Sequence, residues 1–337
     1  MPKGNRHMAR RLTIDVESWP IAGEFRISRG AKTEAHVVVV NIEEDGLVGR
    51  GECVPYQRYR ETVEYTVTLM EAARPHIESG LSIEDLPSVM KVGSTARNAV
   101  DAALWDLRAK QTGIPVWKHL GLAEPKARVT CTTISLSSPE DMAAKASAMT
   151  TSSMLKMKLG GELEDIERVR AVRAVRPDAK IFADGNEGFE PDVFLQVLPE
   201  LEKYNLELLE QPLRAGSDAI LETLKTPIPI CADESIHTRI DLEQVTRRKY
   251  AALNIKLDKC GGLSEAVYVA REGRKRGMKI MLGCMVGTSL SIAPIFQLSS
   301  VADWLDLDGP LLLKKDREPG IRFEGCTLHP PTPDFWG

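Results

Sequence analysis

The chain has 337 residues, with 44 lysines and arginines, 48 aspartates and glutamates, and a formal net charge of −4. This length exceeds the roughly 250 residues of a bare (β/α)₈ barrel and leaves room for a second domain. The charge gives no basic field for nucleic acid, and no apolar run reaches the roughly 18 residues of a membrane span. We therefore expect neither a nucleic-acid partner nor a membrane partner.

The first third of the chain has a pattern of strands followed by helices. Strands are predicted over 11–17 and 36–43, and a third runs through residue 52 after an Asp45-Gly46 turn. Helices are predicted over 61–78 and 94–112. Such an order indicates an α+β domain at 1–124, since glycine, proline and charged residues interrupt the pattern near 121–126.

From residue 125 to 309 the strand and helix patterns alternate. Strands are predicted over 154–159, 180–184, 206–210, 228–233 and 252–256, and helices over 163–176, 192–204, 217–224 and 264–277. This alternation is typical of an α/β barrel with buried parallel strands. The last segment, 310–337, contains a short apolar run at 321–323, and we expect it to return to the first domain.

Five of these strands end on an ionisable residue, at intervals of 23 or 26 residues: Lys158, Asp184, Glu210, Asp233 and Lys256. A single charged strand end is usually only solvated. Five unrelated ends, however, have no reason to keep one spacing, and consecutive barrel units bring their strand ends to the same rim. Three carboxylates between two lysines favour a divalent cation with a proton-transfer group on either side.

Two further pairs have the spacing of strand neighbours on one face. Lys156 precedes Lys158 by two residues, so the second ammonium would lie near the first and lower its pKa. Asp306 and Asp308 have the same relation at the expected eighth strand. They can hold a substrate ammonium group or form a turn before Gly309, and the residues alone leave both open.

The six cysteines are scattered and form no C-x-x-C pair. We expect them to be reduced, buried thiols of a cytoplasmic protein. The first eleven residues are basic but contain no apolar core, which argues against a secretory signal.

Short strings around these positions carry a family resemblance. They are Leu155-Lys156-Met157-Lys158, Asp184-Gly185-Asn186, Glu210-Gln211-Pro212, Ala232-Asp233-Glu234-Ser235, and Asn254-Ile255-Lys256-Leu257 followed by Lys259-Cys260-Gly261-Gly262. Together they resemble the enolase superfamily, specifically its muconate-lactonizing subgroup, over essentially the whole chain. The segments 51–56, 283–285 and 306–309 resemble dipeptide epimerases, most of all the L-Ala-D/L-Glu epimerases of murein peptide recycling.

The resemblance implies a modified (β/α)₇β TIM barrel with an N-terminal α+β capping domain. It further implies that Asp184, Glu210 and Asp233 bind Mg²⁺ and that Lys158 and Lys256 are the two bases. These lysines would invert the α-carbon of the C-terminal residue of a dipeptide by 1,1-proton transfer through a metal-stabilised enolate, in keeping with the chemistry of this superfamily.

Six residues are expected to contact the substrate: Lys156, Thr133, Cys284, Asp306, Asp308 and Arg29. Of these, Thr133 and Cys284 match substrate-contacting positions in the family. The resemblance implies that Asp306 and Asp308 hold the amino terminus of the dipeptide. Arg29 is one of several cations in the loops of the first domain that could pair with a glutamyl side-chain carboxylate. Thr133 and Cys284 can equally be core residues.

Other activities remain in view. The same Lys-metal-Lys core serves o-succinylbenzoate synthases and cycloisomerases, but their substrates carry no ammonium group for Asp306 and Asp308. A catalytically idle relative is disfavoured because the set of bases and ligands is intact. A racemase with a His-Asp dyad would need a histidine near the seventh strand end, where residues 280–284 have none. Homo-oligomer formation is left open.

Overall fold

The computed structural model describes residues 10–90 and 94–337. Most of the basic N-terminal segment, residues 1–9, lies outside these ranges. Within them, the strands form one antiparallel sheet of three strands, one sheet of eight strands and one small sheet of three strands.

The first sheet and its helices make up the N-terminal domain. The strands are β1 (Arg11–Ile27), β2 (Gly30–Glu44) and β3 (Leu47–Cys53), and the helices are α1 (Val63–Glu78), α2 (Leu86–Val89), α3 (Thr95–Thr112) and α4 (Val116–His119). The strands pair in chain order as an antiparallel meander, which confirms the predicted arrangement. The first strand is longer than predicted because β1 and β2 extend into a hairpin whose turn contains Ser28 and Arg29.

Two glycines allow helix α3 to lie directly on strand β3. A Cβ atom on Gly49 would stand 2.0 Å from the backbone oxygen of Ala103, and one on Gly51 would stand 2.0 Å from that of Ala99. Side chains at these two positions would push the helix away from the sheet. The close contact buries most of α3.

The eight-stranded sheet is the barrel. After the short strand β4 (Arg128–Val129) its strands are β5 (Thr132–Ile134), β6 (Met154–Lys158), β7 (Lys180–Asp184), β8 (Leu208–Glu210), β9 (Ile230–Ala232), β10 (Ala252–Ile255), β11 (Lys279–Gly283) and β12 (Trp304–Asp306). The intervening helices are α5 (Pro139–Ala148), α6 (Asp165–Val175), α7 (Pro191–Leu201), α8 (Leu242–Arg247), α9 (Leu257–Cys260), α10 (Leu263–Lys275) and α11 (Ser289–Phe296). Every β5–β12 neighbour pair is parallel and sequential. A hydrogen bond of 2.9 Å from Cys131 N to Leu305 O links the two ends of the sheet, so the predicted barrel is confirmed.

One predicted helix is wrong. The segment 217–224 contains only a 3₁₀ turn over Ala219–Glu222. Its first residues are fixed by Asp218, whose carboxylate accepts hydrogen bonds from Tyr250 Oη at 2.7 Å and Ser235 Oγ at 3.0 Å. A side chain anchored to the barrel in this way competes with a regular helix.

The end of the chain lies against the N-terminal domain. Strands β13 (Phe323–Glu324) and β14 (Thr327–Leu328) pair with each other, and β14 also pairs with β4. Trp336 Nε1 donates to Arg50 O at 2.8 Å, and Gly337 N donates to Asp106 Oδ1 at 2.8 Å. The domain limits 1–124, 125–309 and 310–337 remain predictions.

The six cysteines form no disulfide, and all except Cys284 are buried. No helix in the described part of the chain combines the length and the apolarity needed to span a bilayer.

Candidate active site

The register of the barrel strands aligns the ionisable strand ends. Lys158 stands opposite Asp184, and Asp184 stands opposite Glu210. Asp233 and Lys256 each follow directly on strands β9 and β10. All five side chains are buried, so the structure brings the predicted set together at one rim of the barrel.

Three lysines pair with these carboxylates. Lys158 Nζ donates to Asp184 Oδ2 at 2.7 Å, and Lys256 Nζ donates to Asp233 Oδ2 at 2.6 Å. Lys156 Nζ lies between two of the acids, 3.0 Å from Asp184 Oδ2 and 2.7 Å from Glu210 Oε2. Lys158 and Lys256 therefore mark the two ends of a row of acids.

Burial and charge move several pKa values in this row. Burial raises the pKa of Glu210 to about 7, and the negative charge of Asp184 adds to the effect. Burial would also raise the pKa of Asp233, but Lys256 and Lys259 outweigh it and hold that pKa well below its usual range. Burial alone would lower the pKa of Lys256, whereas Asp233 reverses the effect and raises it. The charges thus stabilise one another in a site with little access to water.

The donor chemistry of this rim fits Mg²⁺. In residues 10–90 and 94–337, no three acidic, histidine or cysteine side chains already converge as a complete ligand set, and Lys156 stands between two of the acids. The Oε2 atom of Glu210 is buried and lies 2.7 Å from Lys156 Nζ, so this hard oxygen donor already faces a positive charge. Carboxylate oxygens are the ligands that Mg²⁺ prefers, and Asp184, Glu210 and Asp233 supply three.

Two uncharged side chains hold the acids in place. Asn254 Nδ2 donates to Glu210 Oε1 at 2.7 Å. The amide has room because Gly283 lacks a side chain: a Cβ atom there would stand 2.3 Å from Asn254 Oδ1. Gln211 Oε1 accepts a hydrogen bond of 2.9 Å from Asp233 N. Neither residue is a charged strand end, so the pattern of ionisable strand ends does not predict them. The period-two alternation could have found Asn254, since it shares a strand face with Lys256.

The eighth-strand carboxylates lie beside Lys156. Asp306 Oδ2 accepts a hydrogen bond of 2.6 Å from Lys156 Nζ, and Asp308 Oδ2 accepts one of 2.7 Å from Thr133 N. The two acids do not share a strand face as predicted, because β12 ends at Asp306 and Asp308 begins a 3₁₀ turn. Both are buried at the same rim, and Cys284 Sγ approaches Asp306 O at 3.5 Å.

Arg29 fastens the β1–β2 hairpin to the barrel. Its Nη2 atom lies 2.7 Å from Glu234 Oε1, and its Nη1 atom donates to Asn186 O. Ser28 Oγ also donates to Asn186 O, at 3.1 Å. The predicted substrate cation is therefore already engaged by a carboxylate of the barrel rim.

Lys32 occupies a different position on the same hairpin. It stands opposite Phe25, and cross-strand partners of this kind lie on one face of a sheet. The Phe25 ring centroid is 5.7 Å from Lys158 Nζ, so this face is turned toward the row of acids and lysines. Lys32 Nζ lies 4.8 Å from the Tyr56 ring centroid and has no ion pair within the described part of the chain.

Family comparisons agree with this architecture. Residues 9–121 match the mandelate racemase / muconate lactonizing enzyme N-terminal domain, and residues 141–331 match the enolase C-terminal domain-like family. The chain belongs to the mandelate racemase / muconate lactonizing enzyme family of the enolase superfamily, as its strings predict.

Two characterised relatives span nearly the whole chain. The L-Ala-D/L-Glu epimerase of Escherichia coli (strain K12) is 40% identical over 95% of this chain and 99% of its own. The N-acetyl-D-glutamate racemase of a Pseudoalteromonas species is 37% identical over 89% of this chain and 95% of its own.

Solved structures show the same fold with ligands bound. An enolase family member from Agrobacterium tumefaciens with homology to dipeptide epimerases, solved with sodium and L-Ala-L-Glu, superposes with a TM-score of 0.94 at 44% identity, over 97% of this chain and 100% of that chain. A dipeptide epimerase from Enterococcus faecalis, solved with Mg and L-Leu-L-Tyr, gives a TM-score of 0.87 at 28% identity, over 96% of this chain and 98% of that chain.

Proposed function

We propose that this protein is a Mg²⁺-dependent dipeptide epimerase of the L-Ala-D/L-Glu type. The observation that carries the proposal is the placement of two buried lysines at the two ends of one row of carboxylates, with Lys158 on Asp184 and Lys256 on Asp233. Similarity to epimerases over nearly the full chain supports the same reaction class.

Lys158 and Lys256 would act on opposite faces of the α-carbon of the C-terminal residue. One lysine removes the α-proton, the other returns a proton from the far side, and the centre is inverted. Mg²⁺ held by Asp184, Glu210 and Asp233 would stabilise negative charge on the substrate carboxylate, and its own charge would oppose the rise that Asp233 causes in the pKa of Lys256.

Both ends of the substrate have charged partners available. We assign the ammonium group to Asp306 and Asp308, two buried acids of the same rim that are not proposed metal ligands. We assign a glutamyl side-chain carboxylate to Lys32 instead of Arg29, because Lys32 carries no ion pair within the described residues whereas Arg29 is bound to Glu234. The predicted substrate contacts of Lys156, Thr133 and Cys284 remain predictions.

A second candidate is racemisation of an N-acylated amino acid. The 37% identical N-acetyl-D-glutamate racemase favours it, and the Lys-metal-Lys core would serve that reaction equally. The o-succinylbenzoate synthase and cycloisomerase alternatives share the same core. The Asp306 and Asp308 pair favours a substrate with a free ammonium group, which none of these substrates carries.

The cellular setting forms part of the same proposal. Six free cysteines, five of them buried, fit a reducing cytoplasm. An enzyme that acts on L-Ala-Glu there would serve the recycling of murein peptides. The division of the chain into 1–124, 125–309 and 310–337 remains a prediction, and homo-oligomer formation stays open.

A dipeptide panel in deuterated water tests the reaction directly. The chain is incubated with Mg²⁺ and either an L-X-L-Z dipeptide or an N-acetyl-L-amino acid, and ¹H NMR follows loss of the α-proton signal at each residue. We expect exchange and epimerisation at the C-terminal residue, fastest with L-Ala-L-Glu. Exchange confined to N-acetylated amino acids, or its absence with every dipeptide, would overturn the assignment.

A further inference from the structure

Lys259 is a buried ammonium that the proposed reaction does not use. The residue lies in the short helix α9 and is 2% exposed. Its Nζ atom donates to Asp233 Oδ1, to Asp233 O and to Asn254 O, the last at 3.0 Å. All three ammonium protons therefore have acceptors inside the site.

The fold of α9 places two lysines on one carboxylate. Lys256 is the N-cap of this helix, and Lys259 N donates to Lys256 O at 3.1 Å. Lys256 holds Asp233 Oδ2 at 2.6 Å while Lys259 holds Oδ1. Gly261 then takes a left-handed φ of 77°, which ends the helix after one turn and keeps both lysines on the same side.

We propose that Lys259 is a positioning residue that fixes the Asp233 carboxylate for cation binding and limits its hold on the proposed base Lys256. This inference rests on the proposed function, since it assigns Asp233 as a ligand and Lys256 as a base. The Lys259 ammonium contacts Asp233 and Asn254 and neither of the two proposed bases, Lys158 and Lys256.

The argument follows from how charges share partners in a buried site. If Lys259 lost its ammonium, Asp233 would keep Lys256 as its neighbouring cation, and a buried carboxylate pairs as fully as it can. The carboxylate could then turn both oxygens toward Lys256. Cation binding by Asp233 and proton transfer by Lys256 would both suffer, whereas Lys158 is held by Asp184, which Lys259 does not touch.

The test compares Lys259→Met and Lys259→Arg in the full chain. Calorimetric titration with MgCl₂ in the absence of substrate measures cation affinity. Deuterium exchange from L-Ala-L-Glu and from L-Ala-D-Glu, at saturating Mg²⁺, measures the two half-reactions separately. Lys158→Ala and Lys256→Ala identify which epimer each lysine deprotonates.

For Lys259→Met we expect Mg²⁺ binding to weaken about 10- to 100-fold, the usual effect of removing a partner of a metal ligand. Exchange from the epimer that Lys256 deprotonates should fall at least tenfold more than exchange from the other. Lys259→Arg keeps the charge with a different reach, so both effects should be smaller but in the same direction.

Lys110→Met is the matched control. Lys110 Nζ also holds an aspartate and a carbonyl, donating to Asp106 Oδ2 at 2.8 Å and Val48 O at 2.7 Å, but in the N-terminal domain. Its loss should leave the ratio of the two half-reactions and the Mg²⁺ affinity unchanged.

Equal loss of both half-reactions with unchanged Mg²⁺ affinity would overturn the positioning role. If Lys259→Met does not fold, as judged by circular dichroism, the same criterion applies to Lys259→Arg. A native protein that exchanges neither epimer would refute the epimerase assignment instead, and the Mg²⁺ titration would still test the hold of Lys259 on Asp233.

Discussion

Replacing Asp308 by asparagine separates substrate recognition from the rest of the site. Asp308 accepts its backbone hydrogen bond from Thr133 N at 2.7 Å, and the asparagine oxygen can accept the same bond. The side chain contacts none of the three proposed metal ligands. The variant therefore removes one negative charge at an almost unchanged shape.

The expected loss follows from the strength of a charged hydrogen bond. If Asp308 pairs with the dipeptide ammonium, the missing bond is worth about 1.5 to 3 kcal/mol, or roughly one to two decades in kcat/KM. Burial, reinforced by Asp306, raises the pKa of Asp308 to about 6. Asp308 is thus ionised at pH 7 and becomes neutral as the pH falls through 6, so the native enzyme should lose this contribution below pH 6.

The assay measures kcat/KM for L-Ala-L-Glu and for its N-acetylated form between pH 5 and 8. The native enzyme should prefer the free dipeptide, and this preference should shrink below about pH 6. In Asp308→Asn the preference should be lower by one to two decades and nearly independent of pH, with Mg²⁺ affinity unchanged. Equal effects of the substitution on both substrates would refute ammonium recognition and strengthen the N-acyl racemase alternative.

Four further outcomes are expected. Lys158→Ala and Lys256→Ala should each abolish epimerisation, yet each should keep deuterium exchange from one epimer, and epimerisation by either variant would show that the bases are misassigned. Exhaustive chelation should abolish turnover and added MgCl₂ should restore it, so full activity of metal-free protein would exclude a cation role. Lys32→Met should raise KM for L-Ala-L-Glu about tenfold while sparing L-Ala-L-Leu, as expected for a rim ion pair. Arg29→Met should instead reduce turnover of both dipeptides alike and lower Tm, because it removes the ion pair between the hairpin and Glu234. A defect in Arg29→Met that is specific to L-Ala-L-Glu would reverse the assignments of Arg29 and Lys32.

The barrel and the row of acids could be predicted because local pattern and global period agree. The five predicted strands, β6 to β10, are largely apolar runs that close on an ionisable residue, and the spacing of one strand-helix unit returns each to the same rim. Asp184 and Glu210 end in register for this reason. Neither conclusion needed a distant contact.

Two predictions are wrong for different physical reasons. The predicted helix at 217–224 fails because Asp218 is anchored by Tyr250, which lies 32 residues further along the chain. Local periodicity carries no information on such a tertiary anchor. Asp308 leaves the strand face because β12 ends at Asp306 and Asp308 begins a 3₁₀ turn, the alternative that the residues alone leave open.

Arg29 shows why the role of a charge depends on its distant partner. Glu234 follows the proposed ligand Asp233 and is buried, and burial together with the Asp233 charge raises its pKa to about 7. Arg29 meets it from a hairpin 205 residues away and counters that rise. Without Arg29, Glu234 would stand beside Asp233 with a neighbouring positive charge lost, and its pKa would rise further. The ion pair with Glu234 therefore holds Arg29 and its hairpin on the barrel rim, and for this reason we propose Lys32 as the cation that meets the substrate carboxylate.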